Sequence, residues 1–422
     1  MTDKKQVEAW LQNGTINQDQ ATKMLSDSEV TKSEESSNKF ITIISSIGAV
    51  LFGIGAILFV ALNWDGIPDF LKIILLLGLT FGSYFIGYIL TYKNKNYPRV
   101  GAALTFLGAL LFGASVFLIA QIYNLNSSPE STYSLLFLWL LGVVPVVYFY
   151  LSKPIASLVS LLFIIFITLF VGTEIGKSSN GFSFFSSYER FFFDMLIIVI
   201  IAGIILFAIG GFHYYSEKLK PIARVYRLFG LRVSLLVTFV LSMNFVYSLF
   251  SFTRYAYDTS AVIALPANPT STLWVTILGI IALIFSVINI FFNFVHTKIF
   301  IAENAINIGL LVLSFFAYFF IGPVSGQAFH IIFNIVFIGI LLVMLYIGYQ
   351  NRDMTVVNQA LGYFSVFIVV KYFEWFWGEF NPYMFFMVGG LILILGGVAL
   401  ERKRRQIRIK FKTANASLEY AK

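Results

Sequence analysis

Residues 193–215, FDMLIIVIIAGIILFAIGGFHYY, decide the fold. From Met195 to Phe212 no side chain is charged and none is an amide. As a helix rising about 1.5 Å per residue, the stretch is long enough to cross a hydrocarbon core of about 30 Å. Runs of this kind recur from Phe40 onward and predict twelve spans, at 41–63, 70–92, 100–123, 133–151, 154–172, 193–215, 228–252, 273–295, 299–320, 327–349, 355–376 and 383–400. The expectation is an all-α, polytopic integral membrane helix bundle. The connection Leu151-Ser152-Lys153-Pro154 is so short that a reentrant or kinked arrangement competes there with a hairpin.

Composition agrees with that reading. Of 422 residues, 58% are hydrophobic and 12% charged, with 47 Phe and a mean hydropathy of +0.83. A soluble domain carries roughly a quarter charged residues, so too little polar surface exists here to cover a water-soluble globule. Cysteine is absent, which removes disulfides, thiolate nucleophiles, iron–sulfur clusters and Cys-bearing zinc sites. The net charge of +8 is nearly matched by Arg402, Lys403, Arg404, Arg405, Arg408, Lys410 and Lys412 alone, so the excess is local and nucleic acid is not implied.

Lys and Arg collect in the connections that stay cytoplasmic. With twelve spans and both ends inside, 24 of the 29 basic residues fall on the cytoplasmic side, including Lys93, Lys153, Lys218, Arg224, Arg352 and the tail. The other 5 are Lys177, Arg190 and Arg254 in outer loops, and Lys72 and Lys371 near outer helix ends. The bias therefore predicts N-in, C-in. The basic tail, 401–422, then meets anionic lipid headgroups of the cytoplasmic leaflet through the seven residues named above.

Residues 1–26 read as a cytoplasmic helical hairpin: Val7, Trp10 and Leu11 share one face, Gly14 ends the first helix, and Asn17 caps a second that offers Ala21, Met24 and Leu25. The hairpin buries too little to stand alone and is expected to pack on another element, a second copy or a membrane protein partner. Residues 27–39 form a polar tether to the bundle at 40–400. Gly48-Ala49-Val50-Leu51-Phe52-Gly53 is echoed by Gly108-Ala109-Leu110-Leu111-Phe112-Gly113, which suggests a duplicated two-span hairpin. The pairs Gly48/Gly55 and Gly101/Gly108 repeat at heptad spacing, where helix backbones approach closely.

The head with Trp10 and Gly14-Thr15-Ile16, the first span ending Ala61-Leu62-Asn63-Trp64-Asp65, the Ala120-Gln121-Ile122-Tyr123 end of the third span, and the closing Gly389-Gly390, Gly396-Gly397 and Glu401-Arg402-Lys403-Arg404 together resemble the DUF2157 family of predicted bacterial membrane proteins. The resemblance covers about 5–130 and again about 360–405. It implies a bacterial inner-membrane protein with no assigned reaction, and a partner that is a short membrane-anchored protein with a GDY-type motif.

Ionisable and amide groups inside a bilayer are costly and mark candidate sites. Asn63, Trp64, Asp65, Gln121, Tyr123, Gln327, His330, Asn334, Lys371 and Glu374 fall in the outer halves or at the outer ends of their spans. If those helices adjoin, they line an outward-facing polar pocket in which Lys371 or His330 meets an anion and Asp65 or Glu374 a cation. The structural reading stands beside it. Trp64, Tyr123, Trp375 and Trp377 make an aromatic belt, Asn63 and Asp65 cap a helix, Lys371 and Glu374 neutralise each other at i, i+3, and His330 and Asn334 serve an interhelical hydrogen bond. Toward the cytoplasm, Asn289, Asn293 and His296 share a face that meets Glu303 and Asn307 as a polar clasp. Asp69 and Asp194 read as isolated carboxylates.

No HExxH, P-loop or GxSxG is present, and three histidines divided between the two sides make no metal cluster, so neither an enzyme nor a cofactor is expected. The expected function is a membrane scaffold or regulatory partner of other envelope proteins. The alternative is a transporter or lipid flippase, disfavoured because the polar residues avoid the midplane and only Pro145 and Pro323 break or flank spans.

Overall fold

The computed structural model describes residues 68–93, 97–125, 128–178, 184–214, 216–244, 246, 269–296, 301–320, 326–350, 352–377, 379 and 381–419, with isolated positions before residue 68. Those residues form helices and no strand. They are α1 (Asp69–Tyr88), α2 (Pro98–Ile122), α3 (Pro129–Tyr150), α4 (Lys153–Ser178), α5 (Phe184–His213), α6 (Lys220–Leu241), α7 (Pro269–His296), α8 (Ile301–Phe320), α9 (Gly326–Gln350), α10 (Met354–Phe376) and α11 (Pro382–Glu419). Nine stretches among the described residues are long and apolar enough to cross a membrane, one on each of these helices except α6 and α8. The chain is therefore a multi-pass membrane protein, because in hydrocarbon a lone chain satisfies its backbone groups only by spanning as helices or a closed barrel.

Three of the twelve expected spans are not among those nine. Most of 41–63 lies outside the described residues. The helix expected at 228–252 instead begins at Lys220, opened by Pro221, and ends at Leu241, so it carries Lys220, Arg224, Arg227 and Arg232 within its length. The helix expected at 299–320 is α8, apolar over Asn304–Phe320. The last helix runs past residue 400, continuing through the basic segment to Glu419. Near the N-terminus, Asn17 and Gln20 cap each other reciprocally: the Asn17 N–H donates to Gln20 Oε1 at 3.0 Å and the Gln20 N–H to Asn17 Oδ1 at 2.8 Å. The remainder of the expected hairpin lies outside the described residues, as does most of the 48–53 echo.

The chain divides into two compact units, Met1–Ile155 and Ala156–Lys422. In the first, α1 and α2 cross where Gly87 faces Gly101: a methyl on either would strike the other's carbonyl oxygen and a threonine, so the backbones are in contact. Gly108 lies one heptad on and carries the Tyr84 ring, as its spacing predicts. The Thr80 and Ser115 hydroxyls sit 3.2 Å apart in the same buried seam. The other side of α2 takes α3, with the Trp139 ring over Gly113 and its Nε1 donating to the Ala109 carbonyl at 2.9 Å. A capping box at Ser128 and Ser131 with Pro129 in the first turn starts α3, and Leu151, in the left-handed region at φ 49°, ends it two residues before α4 begins.

In the second unit α5 is the centre. Phe193, Ile197, Ile198, Ile200, Ile201 and Ile204 are all buried, as expected of a helix that is hydrophobic all round. It pairs with α6 through Gly203 and Gly230, and the Ser234 hydroxyl donates to the Ile200 carbonyl at 3.1 Å beside that crossing. On the other flank, the Phe337 ring of α9 packs at a tilt against Phe239 of α6 at 5.5 Å and Phe367 of α10 at 5.4 Å.

A methyl at Gly230 would meet the Gly203 carbonyl and the Phe207 amide, backbone atoms that cannot rotate away. Gly230→Ala is expected to destabilise the protein by about 1–3 kcal/mol. Gly78→Ala, into open space, should change stability little or raise it. Thermal unfolding of both variants in detergent checks this, and equal midpoints would mean the α5–α6 crossing is not tight.

Candidate functional site

Two helices of the second unit run as parallel rails. Arg224 of α6 bonds Asp353 at the start of α10 at 2.9 Å, and the Tyr363 hydroxyl donates to the Arg232 carbonyl at 2.8 Å. At the far end Lys371 Nζ donates to the Ser242 carbonyl, and the Asn244 N–H to Glu374 Oε1 at 2.6 Å. The partners are separated by 129, 131, 129 and 130 residues in turn, so the register holds over the whole length. Asp353 is prepared for its place as the N-cap of α10, its carboxylate accepting from the Thr355 N–H at 2.8 Å.

The end of α6 carries the polar cluster. The helix stops at Leu241, and the Ser242 hydroxyl turns back onto the Phe239 carbonyl at 2.7 Å, leaving the Ser242 carbonyl pointing onward. Helix C-termini present carbonyls with no intrahelical partner and a partial negative charge. That carbonyl receives Lys371 Nζ and also Asn334 Nδ2 at 3.0 Å. Asn334 reaches back to the His330 carbonyl at 2.7 Å, one turn earlier on α9. Lys371 pairs with Glu374, and its Nζ lies 3.3 Å from His330 Nε2, which stands 3.9 Å from Glu374 Oε2.

An ammonium has three hydrogens and no acceptor. Here all three have acceptors: the Ser242 carbonyl, Glu374 and the His330 ring nitrogen. The Lys371 side chain is 3% exposed, against 15% for Glu374 and 18% for His330, so its charge is compensated from within. An anion would reach Lys371 only by displacing one of these partners. The structure thus brings together His330, Asn334, Lys371 and Glu374, and joins them through two groups without a readable side-chain signal, the Ser242 carbonyl and the Asn244 amide.

The other candidates fall elsewhere. Asn63, Trp64 and Asp65 lie outside the described residues, as does the side chain of Gln327. Gln121 and Tyr123 belong to the first unit, both exposed, in the motif that closes α2. Asn124 adopts φ 52°, its N–H bonds the Gln121 carbonyl at 3.2 Å, and the Leu125 N–H bonds the Ala120 carbonyl at 2.7 Å. This is the left-handed helix stop that Asn tolerates. Arg402, Lys403, Arg404 and Arg405 are exposed on α11, and Arg408, Lys410 and Lys412 follow on the same helix.

Two carboxylates read as isolated are not. Asp69 pairs with Lys72 at 2.8 Å. Asp194, 1% exposed, takes Arg190 Nε at 2.8 Å, and Arg190 Nη2 continues to the Tyr318 carbonyl at 3.1 Å with the guanidinium 4.6 Å from that ring's centre. The Tyr318 hydroxyl meets Ser271 at 2.7 Å and Thr272 at 3.0 Å. One network so ties α5, α7 and α8. Toward their opposite ends, Asn289 Nδ2 of α7 donates to Asn304 Oδ1 of α8 at 2.9 Å, a partner that the expected clasp of Asn289 with Glu303 and Asn307 did not include. The side chains of Asn293, His296 and Glu303 lie outside the described residues.

Removing one partner of a buried pair leaves an uncompensated charge and costs about 3–5 kcal/mol. Lys371→Met is expected to lose that much, and adding Glu374→Gln, which keeps an acceptor for the Asn244 amide, should restore a large part. Thermal unfolding of the two single variants and the double variant measures the coupling. An unchanged midpoint in Lys371→Met would refute the clasp.

No curated protein and no solved structure matches this chain. One family model does, over residues 8–156, and that match stops where the first compact unit stops, leaving the second unit and the Gly389–Arg404 segment outside it. In residues 8–156 the chain matches the family of predicted membrane proteins designated DUF2157.

Proposed function

We propose that the protein is a membrane scaffold or regulatory partner of other envelope proteins, spanning the bacterial inner membrane twelve times with both termini in the cytoplasm. The observation that carries this reading is the exposure of α11. Only 6% of its apolar window is buried, against 72% for α5. Its contacts to α10 gather near its start, where Phe385 stacks on Tyr372 at 4.9 Å and Gly389 packs under the same ring. Beyond that point a side chain added at Gly390, Gly396 or Gly397 would meet nothing within 4 Å among the described residues. Leu gains nothing by leaving lipid for another Leu, so a glycine-bearing membrane helix finds its stabilisation in the close approach of a second helix. A partner's membrane anchor is such a helix, and the short GDY-motif protein implied by the family resemblance is one candidate. The basic end of α11, at the headgroups, would hold the helix in the cytoplasmic leaflet.

A second reading, a transporter or lipid flippase, draws on the partial exposure of His330 and Glu374. It requires the Lys371 clasp to open during each cycle.

Photo-crosslinking residues placed at Leu391 and Ile394, both exposed on α11, test the first reading. A discrete adduct with one membrane protein, lost in Gly390→Leu/Gly397→Leu, is expected; adducts with lipid alone at both positions would end it. The absence of native cysteine makes the topology directly measurable. Cysteines replacing Glu130, Lys177 and Glu379 should react with an impermeant maleimide in intact spheroplasts. Those replacing Lys153 and Lys218 should react only after permeabilisation. The reverse pattern would invert the proposed orientation.

A further inference from the structure

Within the first unit α1 and α3 border an open groove of about 690 Å³. Its walls are Phe81, Tyr84, Phe85 and Tyr88 from α1 and Phe149 and Tyr150 from α3. Four of these rings meet across the two helices: Tyr84 stacks on Tyr150 at 6.4 Å, and Tyr88 lies tilted against Phe149 at 6.2 Å. Two hydrogen bonds hold the walls apart at a set width. The Tyr150 hydroxyl donates to the Tyr84 carbonyl at 3.2 Å, and the Tyr92 hydroxyl to the Tyr150 carbonyl at 2.9 Å. The second bond depends on an irregularity, since α1 passes at Ile89 into a π-helical turn that ends at Lys93 and carries Tyr92. Single π-helical turns are rare and are found frequently at functional sites. Here the turn aims a hydroxyl at one of the carbonyls that the end of α3 leaves unpaired.

The groove is open and its outer wall is exposed. Phe81 and Phe85 are each 66% exposed, and only 17% of the apolar window of α1 is buried. At membrane depth an aromatic cleft of this size is filled by a chain rather than by water. One end is different. Lys93 closes the π-turn next to Tyr92, and Lys153 opens α4 just beyond Tyr150, both exposed, so two cations stand at the end of the groove where Tyr92 and Tyr150 meet.

We propose that this groove binds an anionic glycerophospholipid, one acyl chain lying along the aromatic walls and the phosphate at the Lys93–Lys153 end. The apolar walls supply affinity for the chain, and the two ammonium groups supply selection for a negative headgroup. Only the choice of leaflet rests on the topology proposed above; the groove and its charged end belong to the first unit itself.

Native mass spectrometry of the full chain in detergent, with phosphatidylglycerol or phosphatidylcholine of matched acyl chains added, tests this. Wild-type protein should retain one phosphatidylglycerol in clear preference to phosphatidylcholine. Lys93→Gln/Lys153→Gln, at two exposed positions, should weaken phosphatidylglycerol binding by about fivefold per lysine and leave phosphatidylcholine unchanged. Gly82 borders the groove, and a side chain there meets nothing within 4 Å, so Gly82→Trp should fill the space and abolish retention in a protein that still folds. Equal retention of both lipids by wild type, or undiminished phosphatidylglycerol binding in the double lysine variant, would overturn the proposal. So would loss of the lipid on replacing Arg402, Lys403, Arg404 and Arg405 with Gln, because the lipid would then belong to the tail.

Discussion

Two membrane helices gain little from placing leucine against leucine, because lipid offers the same surroundings. What holds such helices together is the closeness of their backbones and the polar groups they shut away from lipid. Both occur at the central crossing of the second unit. Gly203 and Gly230 let α5 and α6 touch main chain to main chain, and Ser234 bonds the Ile200 carbonyl across the seam. The first unit repeats the solution at Gly87 and Gly101, with Thr80 and Ser115 in the seam. Larger side chains then pack outward from these contacts, as Phe337 does against Phe239 and Phe367.

The buried charges follow the same logic. Desolvating a lone ammonium or carboxylate is expensive, and each is therefore met by its opposite and by backbone groups with no other partner. Lys371 answers both the Glu374 carboxylate and the broken end of α6. Arg190 answers Asp194 and the Tyr318 carbonyl near the end of α8. In each case the cation sits at a helix C-terminus, where the carbonyls concentrate partial negative charge. These clusters act as fasteners between helices, which is why the functional reading moves to the surfaces they leave over among the described residues: the sparsely buried α11 and the aromatic groove beside α1.

The boundary of the family match adds to this. Residues 8–156 match a family model, and the compact unit within that range ends at Ile155. The first unit is thus the portion that carries the family pattern, and it contains the π-turn and the groove. Arg190–Asp194 and the Lys371 clasp lie in the portion that the match does not reach.

Much of this was legible in one dimension. Apolar length and the scarcity of charge establish a helical membrane protein, because the bilayer demands a fixed length and internally paired backbones wherever the helix sits in the bundle. The i, i+3 pairing of Lys371 with Glu374, the capping by Asn17 and the close packing at Gly101 and Gly108 were readable as well, being local or set by helical spacing. The start of α6 was missed because its first turns are basic, so the hydropathy that marks a span begins after the helix does. Asp194 looked solitary although Arg190 stands one turn away, since Arg190 read as an outer-loop residue before α5 was seen to begin at Phe184. By itself the sequence determined the solvent, the secondary structure and which residues were too polar to be idle. Only the tertiary structure decided what they hold, because the decisive acceptors are the backbone carbonyls of Ser242 and Tyr318, more than a hundred residues from their donors, and a carbonyl is the same in every residue.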